Sequence, residues 1–362
     1  MIVEEFIPKP YTKESGSGSV KWSSPSNIAL VKYWGKKEHQ IPANPSISFT
    51  LEACRTTTVL SYEKKENNGE FSFEVFLEAE KKNDFKPKIE TFFKRVESYL
   101  PFLKDYHFVI QTSNSFPHSS GIASSASGMS ALALCLMSLE RLLNEIEVSE
   151  SNFLKKASFL ARLGSGSACR SLEGDLVVWG NHKKIDGSSD LFGVKYPFEV
   201  HENFKKYHDT ILLVDKGEKQ VSSTVGHGLM HDHPFATQRF KQAHDNLSTL
   251  INVFKEGDLN TFISLVESEA LTLHAMMMTS HPYFILMKSN TLNIINKIWQ
   301  FRKETGLHLC FTLDAGANVH ILYPEHEAQQ VYEFIKSELV VYCQNGHYIC
   351  DRIGFGAKQL PI

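Results

Sequence analysis

A serine- and glycine-rich segment at residues 115–128 constrains the fold most strongly, because of what stands on either side of it. The residues before it, YHFVIQTSN at 106–114, are rich in aromatic and β-branched side chains and predict a strand. The residues after it are apolar and small as far as Asn144 and predict a buried helix. The segment is therefore unlike a flexible linker and is a candidate ligand-binding turn.

This turn has the properties of an anion site. Glycines let backbone N–H groups approach a ligand closely, and a helix N-terminus carries partial positive charge and unpaired N–H groups. The candidate contacts are Gly121, Ser124, Ser125 and Ser127, whose hydroxyls can donate to a phosphate or contact phosphate-bound Mg²⁺. A Walker A signature is absent from the sequence. From the residues alone, the alternative is a serine-capped helix that packs closely through small side chains.

A second turn of this kind occupies residues 164–171, GSGSACRS. Ser165, Ser167 and Arg170 place hydroxyls and a guanidinium within a few residues, and the planar guanidinium matches phosphate or carboxylate geometry. The alternative is a solvated turn in which Arg170 pairs with a local acid such as Glu173.

Two further segments carry charges at predicted strand ends. Lys32 and Tyr33 follow the apolar run IALV, and Lys36 stands after a glycine where the chain can turn. Asp314 precedes a Gly turn, where a carboxylate can orient a hydroxyl or accept its proton. The alternatives are ordinary surface lysines and an aspartate that caps its own turn. The histidines at 227, 231 and 233 fit no zinc-finger spacing, and we expect no metal site there.

Composition limits the class of protein. With 38 Lys+Arg and 41 Asp+Glu, the net charge is −3, which lacks the basic excess of a nucleic-acid-binding protein. The six scattered cysteines favour reduced thiols over a disulfide framework. We also expect no secretory signal and no membrane span, because no apolar run reaches about 18 residues. These observations predict a cytoplasmic protein that does not associate with membranes.

Mixed strands and helices predict an α+β chain of two layered domains, with a soft boundary in the polar stretch 181–210. We expect residues 1–20 to form a lead-in that ends in a flexible SGSGS at 15–19. Asn68-Gly69 predicts a hairpin turn. Helical spacing predicts helices at 87–100, at 149–163 with Ser149 as N-cap, and within 282–304.

The ordered set of motifs resembles the GHMP kinase superfamily and, within it, the mevalonate diphosphate decarboxylases. The resemblance extends from about residue 20 to about residue 340. It is carried by NIALVKYWGK, NPSISFTL, SFPHSSGIASSASG, ARLGSGSACRS, QVSST and FTLDAGANVHIL.

This resemblance implies a ribosomal protein S5 domain 2-like N-terminal domain at 1–195, which binds ATP, and a ferredoxin-like α/β sandwich at 196–362. It also implies phosphorylation of the 3-hydroxyl of mevalonate 5-diphosphate by ATP with Mg²⁺, followed by loss of CO₂ and phosphate to give isopentenyl diphosphate. A homodimer is the state expected from the family.

The resemblance also implies roles for single residues. Asp314 matches the catalytic aspartate, and Lys32 matches a lysine beside the transferring phosphoryl group. Substrate contacts are implied for Tyr33, Lys36, Ser165, Ser167 and Arg170, and nucleotide contacts for Asn27, Gly121, Ser124, Ser125 (with Mg²⁺), Ser127, Ser222 and Ser223.

Three alternatives remain open at this point. No second basic residue for the diphosphate can be aligned in the segment 60–105, and Ala317 replaces the proline of the family's Asp-Ala-Gly-Pro pattern. A mevalonate 5-phosphate decarboxylase and a mevalonate 3-kinase therefore stay possible from sequence. The non-enzyme alternative is a catalytically silent ligand sensor on the same fold, which we would expect to have lost Asp314.

Overall fold

A computed structural model provides the three-dimensional description of the chain. It describes residues 2–66, 69–117, 122–144, 149–217 and 223–362, and of residues 223 and 224 it describes the backbone alone. Three predicted positions, Asn68, Gly121 and Ser222, lie outside the described residues.

The described strands form two sheets. In chain order they are β1 (Ser17–Val31), β2 (Ser46–Lys64), β3 (Ser72–Leu77), β4 (Glu80–Lys81), β5 (Tyr106–Asn114), β6 (Leu176–Trp179), β7 (Val194–Lys195), β8 (His208–Leu212), β9 (Cys310–Thr312), β10 (Val319–Tyr323), β11 (Tyr348–Arg352) and β12 (Lys358–Gln359).

Helices pack against both sheets. They are α1 (Lys86–Val96), α2 (Ser124–Leu142), α3 (Glu150–Gly164), α4 (Glu202–Lys205), α5 (Ser223–Gly228), α6 (Ala236–Glu256), α7 (Leu259–Met278), α8 (Ser289–Thr305) and α9 (Ala328–Phe334).

The first sheet has the order β12-β1-β2-β5-β3-β4, and β6 and β7 extend it from β2. The predicted flexible lead-in is wrong for Ser17–Ser19, which belong to β1. These residues pair with the end of β2, where Ser19 lies opposite Ser61 and their Oγ atoms are 2.8 Å apart. The lead-in is ordered there because β2 runs unbroken for 19 residues and offers backbone partners to its end.

The second sheet has the order β11-β8-β10-β9 and is entirely antiparallel where register is defined. The predicted helix within 282–304 begins only at Ser289. The residues before it are not helical because they cover a small apolar cluster around Trp34, to which Phe284 and Leu286 contribute. The predicted Ser149 cap is confirmed, since its side chain accepts a hydrogen bond from the N–H of Asn152.

Three main apolar clusters hold these layers together. One lies between the first sheet and helices α1–α3, a second lies between the two sheets and α6–α7, and a third lies between the second sheet and α8–α9. The second cluster joins the two halves of the chain, which fixes the edges of the sheets relative to one another.

Polar contacts fix the same junction. The carboxylate of Asp351 in β11 accepts hydrogen bonds from the N–H groups of Glu52, Ala53 and Cys54 in β2, at 2.7–2.9 Å. Farther along, β12 returns to pair with β1. Strand β12, near the end of the described chain, therefore belongs to the first sheet. The predicted domain boundary after residue 195 stays a prediction.

None of the helices in the described ranges has the length and apolarity needed to cross a membrane.

Candidate active site

A cavity of 680 Å³ lies where the end of β1, the start of α2, the turn after α3 and the turn after β9 meet. Its volume is in the range of small-molecule sites. Ten predicted residues line it: Asn27, Lys32, Tyr33, Lys36, Ser124, Ser125, Ser165, Ser167, Arg170 and Asp314. Residues far apart in sequence thus converge on one space.

The remaining predicted residues differ. Ser127 does not line the cavity, because its Oγ lies 2.6 Å from the Oγ1 of Thr56 in a fully buried contact. Ser223 is the first residue of α5, and its side chain is not among those described. As stated above, Gly121 and Ser222 lie outside the described residues.

Asp314 stands two residues beyond the end of β9, half-buried on the cavity wall beside Ala315. Leu313, between strand and carboxylate, is fully buried and anchors the turn in the core. His274 of α7 donates its Nε2–H to the carbonyl oxygen of Asp314 at 3.2 Å. The main chain of Asp314 is therefore held by α7, a helix whose described side chains do not line the cavity.

Lys32 is 2% exposed, and its Nζ has no hydrogen-bond partner among the described residues. Burial lowers its pKa from 10.5 to about 8, while the nearby carboxylates of Asp314 and Glu269 oppose that shift. A buried ammonium without a partner is costly, so its presence on a cavity wall indicates a site for an anionic ligand.

Arg170 is a second buried cation on the wall, and it is held by neutral partners. Its Nη1 donates to the Oγ of Ser46 at 2.5 Å, and its Nε donates to the Oδ1 of Asn27 at 3.4 Å. Asn27 is itself held by a 2.8 Å bond from its Nδ2 to the Oγ of Ser171. Within the described residues no carboxylate forms an ion pair with Arg170, so the alternative pairing with Glu173 is wrong.

Burial lowers the pKa of Arg170, and its neighbours Cys169 and Asp314 oppose the shift. With Lys32, this gives the cavity two buried positive charges that the protein does not neutralise by direct ion pairs among its described residues. Such a wall favours a ligand that carries several negative charges.

The N-terminal end of α2 forms a further part of the cavity wall. Ala123 precedes the helix in a left-handed conformation (φ 46°), and its methyl side chain makes no capping hydrogen bond to the first turn. The half-buried Ser124 and the exposed Ser125 face the cavity here. A helix start with adjacent hydroxyls is suited to hold phosphate oxygens.

The sequence-based reasoning missed the basic face of α1. Lys88, Thr91 and Arg95 line the cavity, and Lys88 donates from its Nζ to the Oγ of Ser125 at 2.6 Å. Ser125 in turn donates to the Oγ of Ser165 at 3.3 Å. The signal was present, because the three residues recur at the spacing of one face of the predicted helix.

His227 was also missed as a site residue, since its neighbours in sequence suggested only a polar loop. Its Nδ1 accepts a hydrogen bond from the N–H of Gly35 at 3.0 Å, and its ring lies 4.2 Å from that of Tyr33 and 4.7 Å from that of Trp34. Burial, reinforced by Lys36, lowers the pKa of His227 to about 3. The ring is therefore a neutral part of the cavity wall that joins α5 to the turn after β1.

Together the two-layered α+β fold and the cavity lined by buried cations and hydroxyls define a small-molecule-binding protein whose site suits a ligand with several negative charges. Two family models match the chain: the diphosphomevalonate decarboxylase-like N-terminal domain over residues 24–191 and the mevalonate 5-diphosphate decarboxylase C-terminal domain over residues 210–352. The two matches span most of the chain, which belongs to the diphosphomevalonate decarboxylase family.

Individual relatives agree with this assignment. The diphosphomevalonate decarboxylase of Ganoderma lucidum is 29% identical over 331 residues, which are 86% of this chain and 80% of the relative. Mevalonate diphosphate decarboxylase from Staphylococcus aureus superposes with a TM-score of 0.80 at 27% identity, covering 95% of this chain and 98% of that one. A structure of MDDEF in complex with MVAPP, AMPPCP and magnesium gives a TM-score of 0.80 at 26% identity, with 96% and 100% covered.

Proposed function

We propose that this chain catalyses the ATP-dependent decarboxylation of mevalonate 5-diphosphate to isopentenyl diphosphate, with release of CO₂, ADP and phosphate. The observation that carries the proposal is the common cavity wall of Asp314 and Lys32. A carboxylate that can orient a hydroxyl and an ammonium that can stabilise phosphate charge stand together between two anion-binding turns.

The substrate would occupy the side of the cavity formed by the turn after β1 and the turn after α3. Tyr33 and Lys36 flank this side, and Arg170 offers its guanidinium to the carboxylate or the diphosphate. Ser165 and Ser167 add hydroxyl donors. Lys88 supplies the second basic residue that a diphosphate requires and that the sequence alone does not reveal.

The nucleotide phosphates would lie against the start of α2, with Ser124 and Ser125 as hydroxyl donors. The relative described above binds AMPPCP and magnesium. To contact the exposed hydroxyl of Ser125, Mg²⁺ would have to displace the Nζ of Lys88, which donates to that oxygen at 2.6 Å. One such ligand is enough, because Mg²⁺ commonly takes few protein ligands beside phosphate oxygens. When bound, Mg²⁺ neutralises charge on the phosphate oxygens during transfer.

In the first step, the 3-hydroxyl oxygen attacks the terminal phosphorus of ATP, and the bond between that phosphorus and ADP breaks. Asp314 orients the hydroxyl and takes its proton. In the second step, the C3–O bond breaks and its electron pair leaves with phosphate. The bond between C2 and the carboxylate carbon then supplies the electrons of the new double bond as CO₂ departs.

Lys32 can act in both steps, because its ammonium stabilises negative charge on the transferred phosphoryl group and on the departing phosphate. Hydroxide is a poor leaving group and phosphate a good one, which explains why ATP is consumed in an eliminative decarboxylation. Retention of both Asp314 and Lys32 favours this reaction over a kinase that stops at phosphorylation and over a silent sensor.

The test is a parallel assay of mevalonate, its 5-phosphate and its 5-diphosphate with Mg²⁺ and ATP, in which ADP and CO₂ are both measured. We expect equal amounts of ADP and CO₂ with the 5-diphosphate. ADP without CO₂ would assign a 3-kinase, preference for the 5-phosphate would assign the sister decarboxylase, and binding without turnover would assign a sensor.

The family resemblance supports a homodimer, and the free cysteines support a cytoplasmic location. Of the six cysteines, only Cys350 is exposed, and all six are free thiols, as expected in a reducing compartment. Sedimentation of the purified chain should give about twice the 41.0 kDa mass of one copy, and a monomer mass would contradict the dimer.

A further inference from the structure

We propose that Glu269 and His274 of α7 are positioning residues, which hold Lys32 and Asp314 by their main-chain groups and so set the geometry of the ammonium relative to the carboxylate. This inference rests on the proposed function, because it concerns the same two residues. Helix α7 thus has a positioning role, although its described side chains, Glu269 and His274 among them, do not line the cavity.

At Lys32, the chain has left the sheet. The last described pair of β1 with β2 is Val31 with Ile47, so the main-chain groups of Lys32 need other partners. Its N–H donates to the Oε2 of Glu269 at 2.9 Å. Its carbonyl oxygen accepts from the Nη2 of Arg239 at 3.1 Å and from the Nδ2 of Asn44 at 2.9 Å. The two members of a buried ion pair therefore bind the N–H and the carbonyl oxygen of Lys32, on either side of its Cα.

Glu269 and Arg239 form this pair with their side chains fully buried. Arg239 donates to both carboxylate oxygens, from Nη1 to Oε1 at 2.9 Å and from Nη2 to Oε2 at 2.5 Å, and Asn246 donates a further bond to Oε1 at 2.5 Å. An ion pair in a core often contributes less stability than apolar side chains of equal volume. Apolar side chains would not provide hydrogen bonds of fixed direction. Here the ion pair directs such bonds at the main chain of Lys32.

The second contact lies five residues farther along α7, about 7.5 Å along the helix axis at 1.5 Å per residue. There His274 donates its Nε2–H to the carbonyl oxygen of Asp314 at 3.2 Å. Burial lowers the pKa of His274 to about 4, so the ring is neutral and this donor is present throughout the neutral range. One helix thus carries the anchors of both residues, and displacement of either anchor would change the distance between the reacting groups.

Glu269 also acts on Lys32 through its charge. The ionisable groups that face Lys32 are Asp314, Glu269, Arg170 and Asp209, together with Arg239, which donates to the Lys32 carbonyl oxygen, and the neutral His274 lies nearby. Among them Glu269 is a carboxylate that favours the ammonium form without contacting the cavity. Replacement of Glu269 by a neutral residue should therefore lower the pKa of Lys32.

The first experiment compares Glu269→Gln with Glu267→Gln in the full-length enzyme. Glu267 is the matched control, since it lies on the same helix and pairs with Arg302 at 2.7 Å, away from the cavity. For Glu269→Gln we expect the loss of kcat/KM to be about tenfold greater at pH 8.5 than at pH 6.5, the factor that one unit of pKa carries. For Glu267→Gln we expect equal loss at both pH values. Identical pH profiles for the two variants would overturn the proposal.

The second experiment compares His274→Leu, which removes the donor, with His274→Gln, which retains an N–H at a similar reach. We expect kcat to fall about tenfold or more in His274→Leu with KM for both substrates unchanged, and to recover in His274→Gln. Equal kcat in the two variants would overturn the proposal even if Glu269→Gln does not fold. If the wild-type enzyme shows no decarboxylation, the proposed function fails, whereas an active wild type with unaltered variants refutes only the positioning role.

Discussion

Lys88 donates a 2.6 Å hydrogen bond from its Nζ to the Oγ of Ser125, and this contact joins α1 to the first turn of α2. It brings a lysine of α1 to the edge of the phosphate-binding turn. Ser125 continues the connection to Ser165 on the opposite turn. Three elements that are separate in sequence therefore form one rim of the cavity.

Lys88→Met should raise KM for mevalonate 5-diphosphate about tenfold, because a charge-assisted hydrogen bond to an anion contributes about 1.5–3 kcal/mol. The effect should be smaller for the 5-phosphate, which carries less charge. Lys94→Met is the matched control, since Lys94 lies on the same helix and pairs with Glu90 at 2.6 Å outside the cavity. Equal KM values in the two variants would exclude Lys88 from diphosphate binding.

Lys32→Met should increase stability while it removes activity. The pKa of Lys32 is lowered from 10.5 to about 8 in the folded protein, chiefly by burial. Between pH 8 and pH 10.5 the unfolded chain therefore binds more protons than the folded one, and wild-type stability rises with pH across that window. Below pH 8 the full cost of the buried ammonium remains, on the order of 3 kcal/mol.

Urea unfolding of wild type and Lys32→Met at pH 7 and pH 10 measures this cost. We expect the variant to be the more stable at pH 7 and the difference to narrow at pH 10. A variant that is less stable than wild type at pH 7 would show that Lys32 contributes to the fold instead.

Gly166→Ala should disturb the substrate side of the cavity. A Cβ at this position would lie 2.8 Å from the Cη2 of Trp179 and 3.0 Å from the hydroxyl oxygen of Tyr33. We expect a loss of about 1–3 kcal/mol in unfolding free energy from overpacking, together with a higher KM for the 5-diphosphate as Tyr33 is displaced. Gly16→Ala, whose Cβ would meet open space, should change neither quantity, and an unchanged KM in Gly166→Ala would argue against Tyr33 as a substrate contact.

Local pattern was sufficient for many of the elements. Strand β5 occupies the predicted residues 106–114, and α3 begins after its predicted cap. The errors arose where a partner distant in sequence decides the structure. The serines before Val20 became a strand because β2 extends far enough to pair with them. The residues before Ser289 are not helical because they cover the cluster around Trp34.

In the candidate site, too, local sequence predicted some residues, and contacts between distant elements decided the others. Motifs predicted the residues that converge on the cavity, because each motif carries its own chemistry in a short stretch. Lys88 and His227 belong to no such motif. The spacing of Lys88, Thr91 and Arg95 indicates a basic helix face, but only the packing of α1 and α5 against other elements brings Lys88 and His227 to the wall. Ser127 shows the reverse case, in which a motif serine is bound to Thr56 inside the sheet–helix layer.

The most direct test of the account is a rapid-quench measurement on Asp314→Asn with mevalonate 5-diphosphate, ATP and Mg²⁺. The asparagine keeps the size of the side chain but cannot take the proton of the 3-hydroxyl. We expect both substrates to bind with near wild-type affinity, while ADP and CO₂ formation fall together by about 10³-fold or more. Formation of ADP and CO₂ at rates close to those of wild type would contradict the assignment of Asp314 and, with it, the chemistry proposed for this cavity.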